Sequence, residues 1–113
     1  MLTLYGIKNC DTVKKARQWL EAQGIEYRFH DFRKDGLDLS LLERWEAELG
    51  WEALLNKRGT SWRKLEESQR EGLDRAKALV LMLAQPSLIK RPVLEIGTKT
   101  LIGFIPEEYS REL

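Results

Sequence analysis

The chain has 113 residues, 42% of them hydrophobic and 33% charged, with Lys+Arg 19 against Asp+Glu 18 and a formal net charge of +1. That length suits one compact domain with a real core, expected over residues 1–113, and the composition excludes a disordered or collagen-like chain. The near-neutral charge removes the bulk electrostatic case for a nucleic-acid or membrane-surface partner. The longest apolar run, residues 78–84, is seven residues, whereas a membrane-spanning helix needs about 20. The opening MLTLYGIKNCD has no long apolar segment before Lys8 and Asp11. A secretory signal is therefore not expected, and the cytoplasm is the expected location.

Leu2, Thr3, Leu4 and Tyr5 form a short β-prone run that Gly6 ends. From Cys10 the period changes: Val13, Ala16, Leu20 and Gln23 share one helical face with Trp19 beside them, and Gly24 is a natural stop. Tyr27 and Phe29 then alternate with Glu26, Arg28 and His30 as a second strand, and Arg33 to Gly36 read as a charged turn. Strand, helix, strand is a βαβ unit, whose right-handed crossover makes the two strands parallel. The loop with Lys8, Asn9 and Cys10 then lies at the carboxyl end of the first strand, where open α/β sheets tend to place their chemistry.

The middle reads as helical. Ser40 with Glu43 resembles a capping box before the stripe Leu41, Leu42, Trp45, Leu49, which ends at Gly50. Residues 51–55 suit another turn or two, and residues 56–61 a loop. Thr60 or Ser61 is a candidate cap for a short helix through Trp62 and Leu65. A stronger helix follows, with Ala76, Leu79, Val80 and Leu83 as its core face, ending before Pro86. After Pro92 the period returns to strand: Val93 to Ile96, a Gly97-Thr98 turn, then Lys99 to Ile102, a hairpin. Pro106, Glu107 and Glu108 open a last helix. The order β-α-β, helical insert, β-β-α predicts helices packed on a mixed four-stranded sheet.

Cys10 is the one cysteine. No internal disulfide can form, and one Cys with one His, His30, cannot build a tetrahedral zinc site. At a helix start Cys10 meets free N–H groups and the positive end of the helix dipole, which favour thiolate. Lys8 and Lys14 push the same way and Asp11 the opposite way, so the sequence leaves the net direction open. Free cysteine is often simply buried, but the polar neighbours Lys8, Asn9, Asp11 and Thr12 argue for an accessible thiol. His30 reads as a surface or edge residue. Lys57, Arg58, Arg63 and Lys64 around Trp62 read as a solvated face flanked by Glu66 and Glu67, so nucleic acid is not an expected partner.

A strand, a Cys opening a helix, and a late Pro before a hairpin follow the thioredoxin-like plan. The run from Tyr5 to Thr12, the segment from Asp31 to Leu37 and the segment from Leu88 to Val93 together resemble the arsenate-reductase-related ArsC/Spx family, the YffB branch in particular. The resemblance covers nearly the whole chain, including a helical insert over about residues 38–85 between the second and third strands. It implies Cys10 as nucleophile, Arg91 as a cation over the thiolate and any bound anion, and Pro92 as the cis proline of thioredoxin-like folds. It sets Arg58 in a region where family members carry an anion-binding Arg.

The departures are specific. Arsenate reductases typically carry a His where this chain has Gly6 and a Ser where it has Val13, and a third Arg near the final hairpin, where this chain runs from Ile102 to Pro106. Fewer oxyanion ligands should weaken binding of a tetrahedral anion. Val13 also occupies the second Cys position of the Cys-X-X-Cys found in many disulfide-switched regulators, so an internal redox switch is excluded.

The expected protein is a thioredoxin-like α/β domain acting as a glutathione-dependent thiol reductase. Cys10 and Arg91 would do the chemistry, with Lys8, Asn9, Asp11, Thr12, Arg58 and Pro92 holding substrate or glutathione. Glutathione would be the co-substrate, with no bound cofactor, no metal, no membrane partner and a monomeric chain. The alternatives are a glutathione-coupled arsenate or oxyanion reductase, and an Spx-like regulatory module that binds RNA polymerase without catalysis.

Overall fold

The computed structural model describes residues 2–113. They form two compact units: one comprises the residues up to Gly36 together with Arg91–Leu113, the other Leu37–Lys90.

The first unit contains β1 (Leu2–Gly6), α1 (Asp11–Ala22), β2 (Tyr27–Asp31), α2 (Phe32–Asp35), β3 (Val93–Ile96), β4 (Lys99–Ile102) and α8 (Pro106–Glu112). The strands lie in the order β2-β1-β3-β4. β1 and β2 are parallel, with Leu4 opposite Phe29. β3 runs antiparallel to β1, with Leu4 opposite Leu94, and β4 antiparallel to β3. This is the expected thioredoxin-like sheet. Its core unites Leu4, Leu94 and Leu101 of the sheet with Ala16 and Leu20 of α1 and Tyr109 of α8. Tyr109 anchors α8, its ring meeting Trp19 edge-on at 5.6 Å and Phe104 edge-on at 5.0 Å.

Gly6 is the last residue of β1 rather than a stop beyond it. Residues 33–36, expected as a bare turn, begin in the short helix α2. Asp31 caps that helix by accepting from Arg33 N–H at 2.9 Å, and Gly36 ends it at φ 81°.

The second unit contains α3 (Leu39–Leu49), α4 (Trp51–Leu54), α5 (Thr60–Arg63), α6 (Glu67–Arg70) and α7 (Arg75–Ala84), with a 3-10 turn over Pro86–Leu88. The cap of α3 is Asp38, whose carboxylate accepts from Leu41 N–H at 2.8 Å, and not the expected Ser40. Asp38 also has the non-helical backbone that an N-cap needs, which a motif of two residues cannot reveal. Gly59, not Thr60 or Ser61, stands at the N-cap of α5, and no side chain caps it. The polar turn α6 has no apolar stripe and went unread; it is tied by Glu66 N–H donating to Gln69 Oε1 at 2.9 Å.

The core face expected for α7 is wrong in part. Ala78, Leu79, Leu81 and Met82 are buried, while Val80 is 67% and Leu83 37% exposed. Residues 78–84 are apolar on every side, so periodicity cannot choose a face. Packing on α3 and α4 chooses it, and Arg75 at the start of α7 is oriented by its 2.6 Å bond to Glu46 of α3. Among the described residues no helix is long and apolar enough to cross a membrane.

Removing the α3 cap by Asp38→Ala leaves Leu41 N–H without its acceptor. The expected loss is about 1 kcal/mol of unfolding free energy, read by urea titration. An unchanged midpoint would show that solvent caps α3 equally well.

Candidate functional site

The site begins where β1 runs out. Cys10 N–H donates to the Ile7 carbonyl at 3.1 Å, and Lys14 N–H donates to the Cys10 carbonyl at 2.9 Å, so Cys10 closes the turn and starts α1. Its backbone is extended (φ −89°, ψ 127°), as an N-cap requires, and its thiol is half-buried. No conventional side-chain cap is present, because a neutral thiol is a poor acceptor. Ionised, the sulfur becomes a good one, and the N–H groups of Val13 and Thr12 are placed to meet it.

Burial is the largest single influence on the thiol and pushes its pKa up. The Val13 N–H, the Arg91 side chain as hydrogen-bond donor, the Arg91 charge and the Thr12 N–H each pull it down. The pull prevails, and Cys10 titrates below the ordinary cysteine value. This settles the direction that Lys8, Lys14 and Asp11 left open.

Arg91 comes from the far end of the chain, one residue before the buried Pro92, and the Arg91-Pro92 peptide bond is cis. Pro92 begins the return into β3, and its carbonyl accepts from Gly103 N–H at 2.8 Å. Cys10, Arg91 and Pro92, named from the sequence, thus belong to one unit, with Arg91 on the sulfur.

The other expected residues divide. Thr12 reaches the sulfur through its backbone. Asn9 and Asp11 are exposed beside it. Lys8 is exposed and lines a separate hollow of about 200 Å³ with Arg17, Phe29, Asp31, Lys34 and Asp35. There the Arg17 guanidinium stacks 4.2 Å over the Phe29 ring. Arg58 belongs to the helical unit, in the loop after α4. His30 is structural: on the edge strand β2, its Nε2–H donates to the Gly36 carbonyl at 2.7 Å, and its ring lies 4.9 Å from that of Tyr5. Among the described residues no cluster of three or more His, Cys, Asp or Glu could hold a metal ion.

Val13 was missed as a site residue. The signal was available, because with Cys10 as N-cap Val13 is the third helical residue, one of the two whose N–H an N-cap side chain accepts from. Its side chain, fully buried, packs over Gly6 so closely that a Cβ on residue 6 would lie 2.7 Å from Val13 Cγ2. Two of the three departures from the arsenate-reductase pattern, Gly6 and Val13, therefore meet in one packing contact.

Comparison with known proteins shows the family. The model of the ArsC family matches residues 5–111. A solved YffB protein is 56% identical, covers 98% of this chain and 97% of its own, and superposes with a TM-score of 0.95. An arsenate reductase (ArsC) related protein from Brucella melitensis is 55% identical over 97% of this chain and 92% of its own, with a TM-score of 0.80. The global transcriptional regulator Spx of Enterococcus faecalis is 29% identical over 100% of this chain and 86% of its own length.

Proposed function

The chain belongs to the ArsC family, and on that premise we propose that it is a glutathione-dependent thiol reductase working through Cys10 alone. The observation that carries this reading is a half-buried sulfur whose pKa the Val13 and Thr12 N–H groups and Arg91 draw below the ordinary cysteine value, against the opposing push of burial. The thiolate is the nucleophile of disulfide exchange.

The cycle follows from the cysteine count. The Cys10 thiolate attacks the glutathione-side sulfur of a mixed disulfide R–S–S–G. The S–S bond breaks, Cys10–S–S–G forms, and RS⁻ leaves to take a proton from water. With no second cysteine in the chain, a glutathione thiolate from solution attacks the adduct. It releases glutathione disulfide and restores the Cys10 thiolate. In sum, R–S–S–G and one glutathione thiol give RSH and glutathione disulfide, so one thiol is oxidised for each one released. Arg91 stabilises the thiolate as nucleophile and again as leaving group.

Reduction of arsenate draws less support. Gly6 and the buried Val13 provide no polar side chain beside Cys10, and residues 102–106 provide no Arg.

Intact mass after exposure to glutathione disulfide tests the proposal. One glutathione adduct is expected on the wild-type chain and none on Cys10→Ser, with reversal by reduced glutathione. A wild-type chain that takes no adduct, or a thiol that alkylates with the pH profile of free cysteine, would overturn it. Glutathione-coupled arsenate turnover would move the assignment to the oxyanion alternative.

A further inference from the structure

The hollow beside Lys8 lies in the same unit as Cys10, towards the carboxyl ends of the parallel strands β1 and β2. Its two acids are committed to the backbone. Asp31 Oδ1 accepts from Arg33 N–H at 2.9 Å, and Asp35 Oδ2 accepts from Asp31 N–H at 3.0 Å. Arg17 is held from two sides. Its Nε–H donates to the Tyr27 hydroxyl oxygen at 3.0 Å, and its guanidinium lies 4.2 Å over Phe29. The Tyr27 O–H in turn donates to Glu21 at 2.9 Å, so the acid one helical turn beyond Arg17 is engaged by the tyrosine. Among the described residues Lys8, Arg17 and Lys34 form no ion pair, and the terminal nitrogens of Arg17 have no hydrogen-bond partner.

A guanidinium already fixed at Nε and on one face loses little further freedom when its terminal nitrogens take a ligand. Those two nitrogens match the two oxygens of a carboxylate. Size narrows the occupant. About 200 Å³ lies below the range of whole small-molecule sites, about 300–1,000 Å³, and suits one acidic side chain. Position ties the hollow to the sulfur. Arg17 follows Cys10 by seven residues, so the two share one face of α1, about 10 Å apart along its axis. Helical side chains lean towards the N-terminus, which carries the guanidinium back towards Cys10. Lys8 stands two residues before Cys10 in the same loop. An extended peptide advances about 3.3 Å per residue, so three residues cover the interval.

We infer that Arg17 selects the protein half of the substrate: the hollow takes the carboxylate of an Asp or Glu about three residues from the substrate cysteine while Cys10 works on the disulfide. The choice of a disulfide substrate rests on the thiol-reductase reading of Cys10; the carboxylate seat does not.

Glutathionylated peptides test the seat. Each carries one Cys in a neutral background, with an Asp three residues before it, three residues after it or six residues away, and each has a twin with Asn in place of Asp. With the full-length chain and reduced glutathione, kcat/KM for one of the three-residue Asp peptides is expected to exceed that of its twin about fivefold, and the six-residue pair to be equal. Arg17→Gln is expected to abolish the preference. Both twins meet the same molecules, so any change in folding or thiol reactivity cancels in their ratio, and loss of the carboxylate contact does not. Twins turned over equally by the wild type, or a preference that survives Arg17→Gln, would overturn the inference and leave the reductase reading standing. The same peptides with S-methylcysteine, titrated into the wild-type chain and followed by NMR, separate the two claims. Tighter binding of an Asp peptide, lost in Arg17→Gln, supports the seat; without turnover of the glutathionylated form it sinks the reductase reading alone. Neither turnover nor Asp-dependent binding sinks both.

Discussion

Gly6→Ala lowers the unfolding free energy by about 1–3 kcal/mol and moves the alkylation profile of Cys10 to higher pH. The added Cβ would stand 2.7 Å from Val13 Cγ2 and 3.3 Å from Cγ1. Val13 cannot turn aside, because a β-branched side chain in a helix holds essentially one rotamer, and this one is fully buried. The start of α1 must shift instead. Its Val13 N–H then moves relative to the Cys10 sulfur, and the strongest of the pulls that lower the thiol pKa weakens. Val13→Ala in the same chain removes both clashing methyls, so the double variant should be more stable than the sum of the single changes predicts. Thermal melts of the four proteins in the cycle measure the coupling, and alkylation rates against pH follow the thiol. Strict additivity, with a thiol that ignores Gly6→Ala, would disprove the linkage.

Arg91→Ala slows alkylation of Cys10 by iodoacetamide at pH 7 by roughly three- to tenfold. A hydrogen bond to a charged group contributes about 1.5–3 kcal/mol, and its loss leaves burial less opposed, so the thiolate becomes scarcer at neutral pH. A more basic thiolate is also intrinsically more reactive, which returns about half of that effect on a logarithmic scale. The two profiles should therefore cross: wild type faster near neutrality, Arg91→Ala faster once both thiols are ionised. Arg91→Lys keeps a charge and should fall between. Superimposed profiles would remove Arg91 from the sulfur's environment.

Stability follows the same linkage. The folded thiol titrates below its ordinary value, so the unfolded chain holds the proton to higher pH. The contribution to stability is fully present above the unfolded pKa and is lost as pH falls through the folded one. Cys10→Ser abolishes that pH-dependent increment.

Much of the molecule was legible in the linear chain because it depends on local period and local chemistry. The alternation around Tyr27 and Phe29, the face Val13, Ala16, Leu20 and the turn at Gly97 each specify an element through residues that lie within a few positions of one another. One cysteine in 113 residues already required that any resolving thiol come from outside. Other features were not local. The α7 stretch is apolar all round, so only its neighbours α3 and α4 could turn Leu79 and Met82 inward and leave Val80 in solvent. Lys8, Asp11 and Lys14 beside Cys10 oppose one another in sequence. The direction of its titration was decided by a guanidinium from the opposite end of the chain and by two backbone N–H groups whose orientation exists only once α1 sits on β1. Period and composition are short-range properties and survive in a string of letters; the field at one sulfur is a sum over everything packed around it, and that sum is defined only after folding.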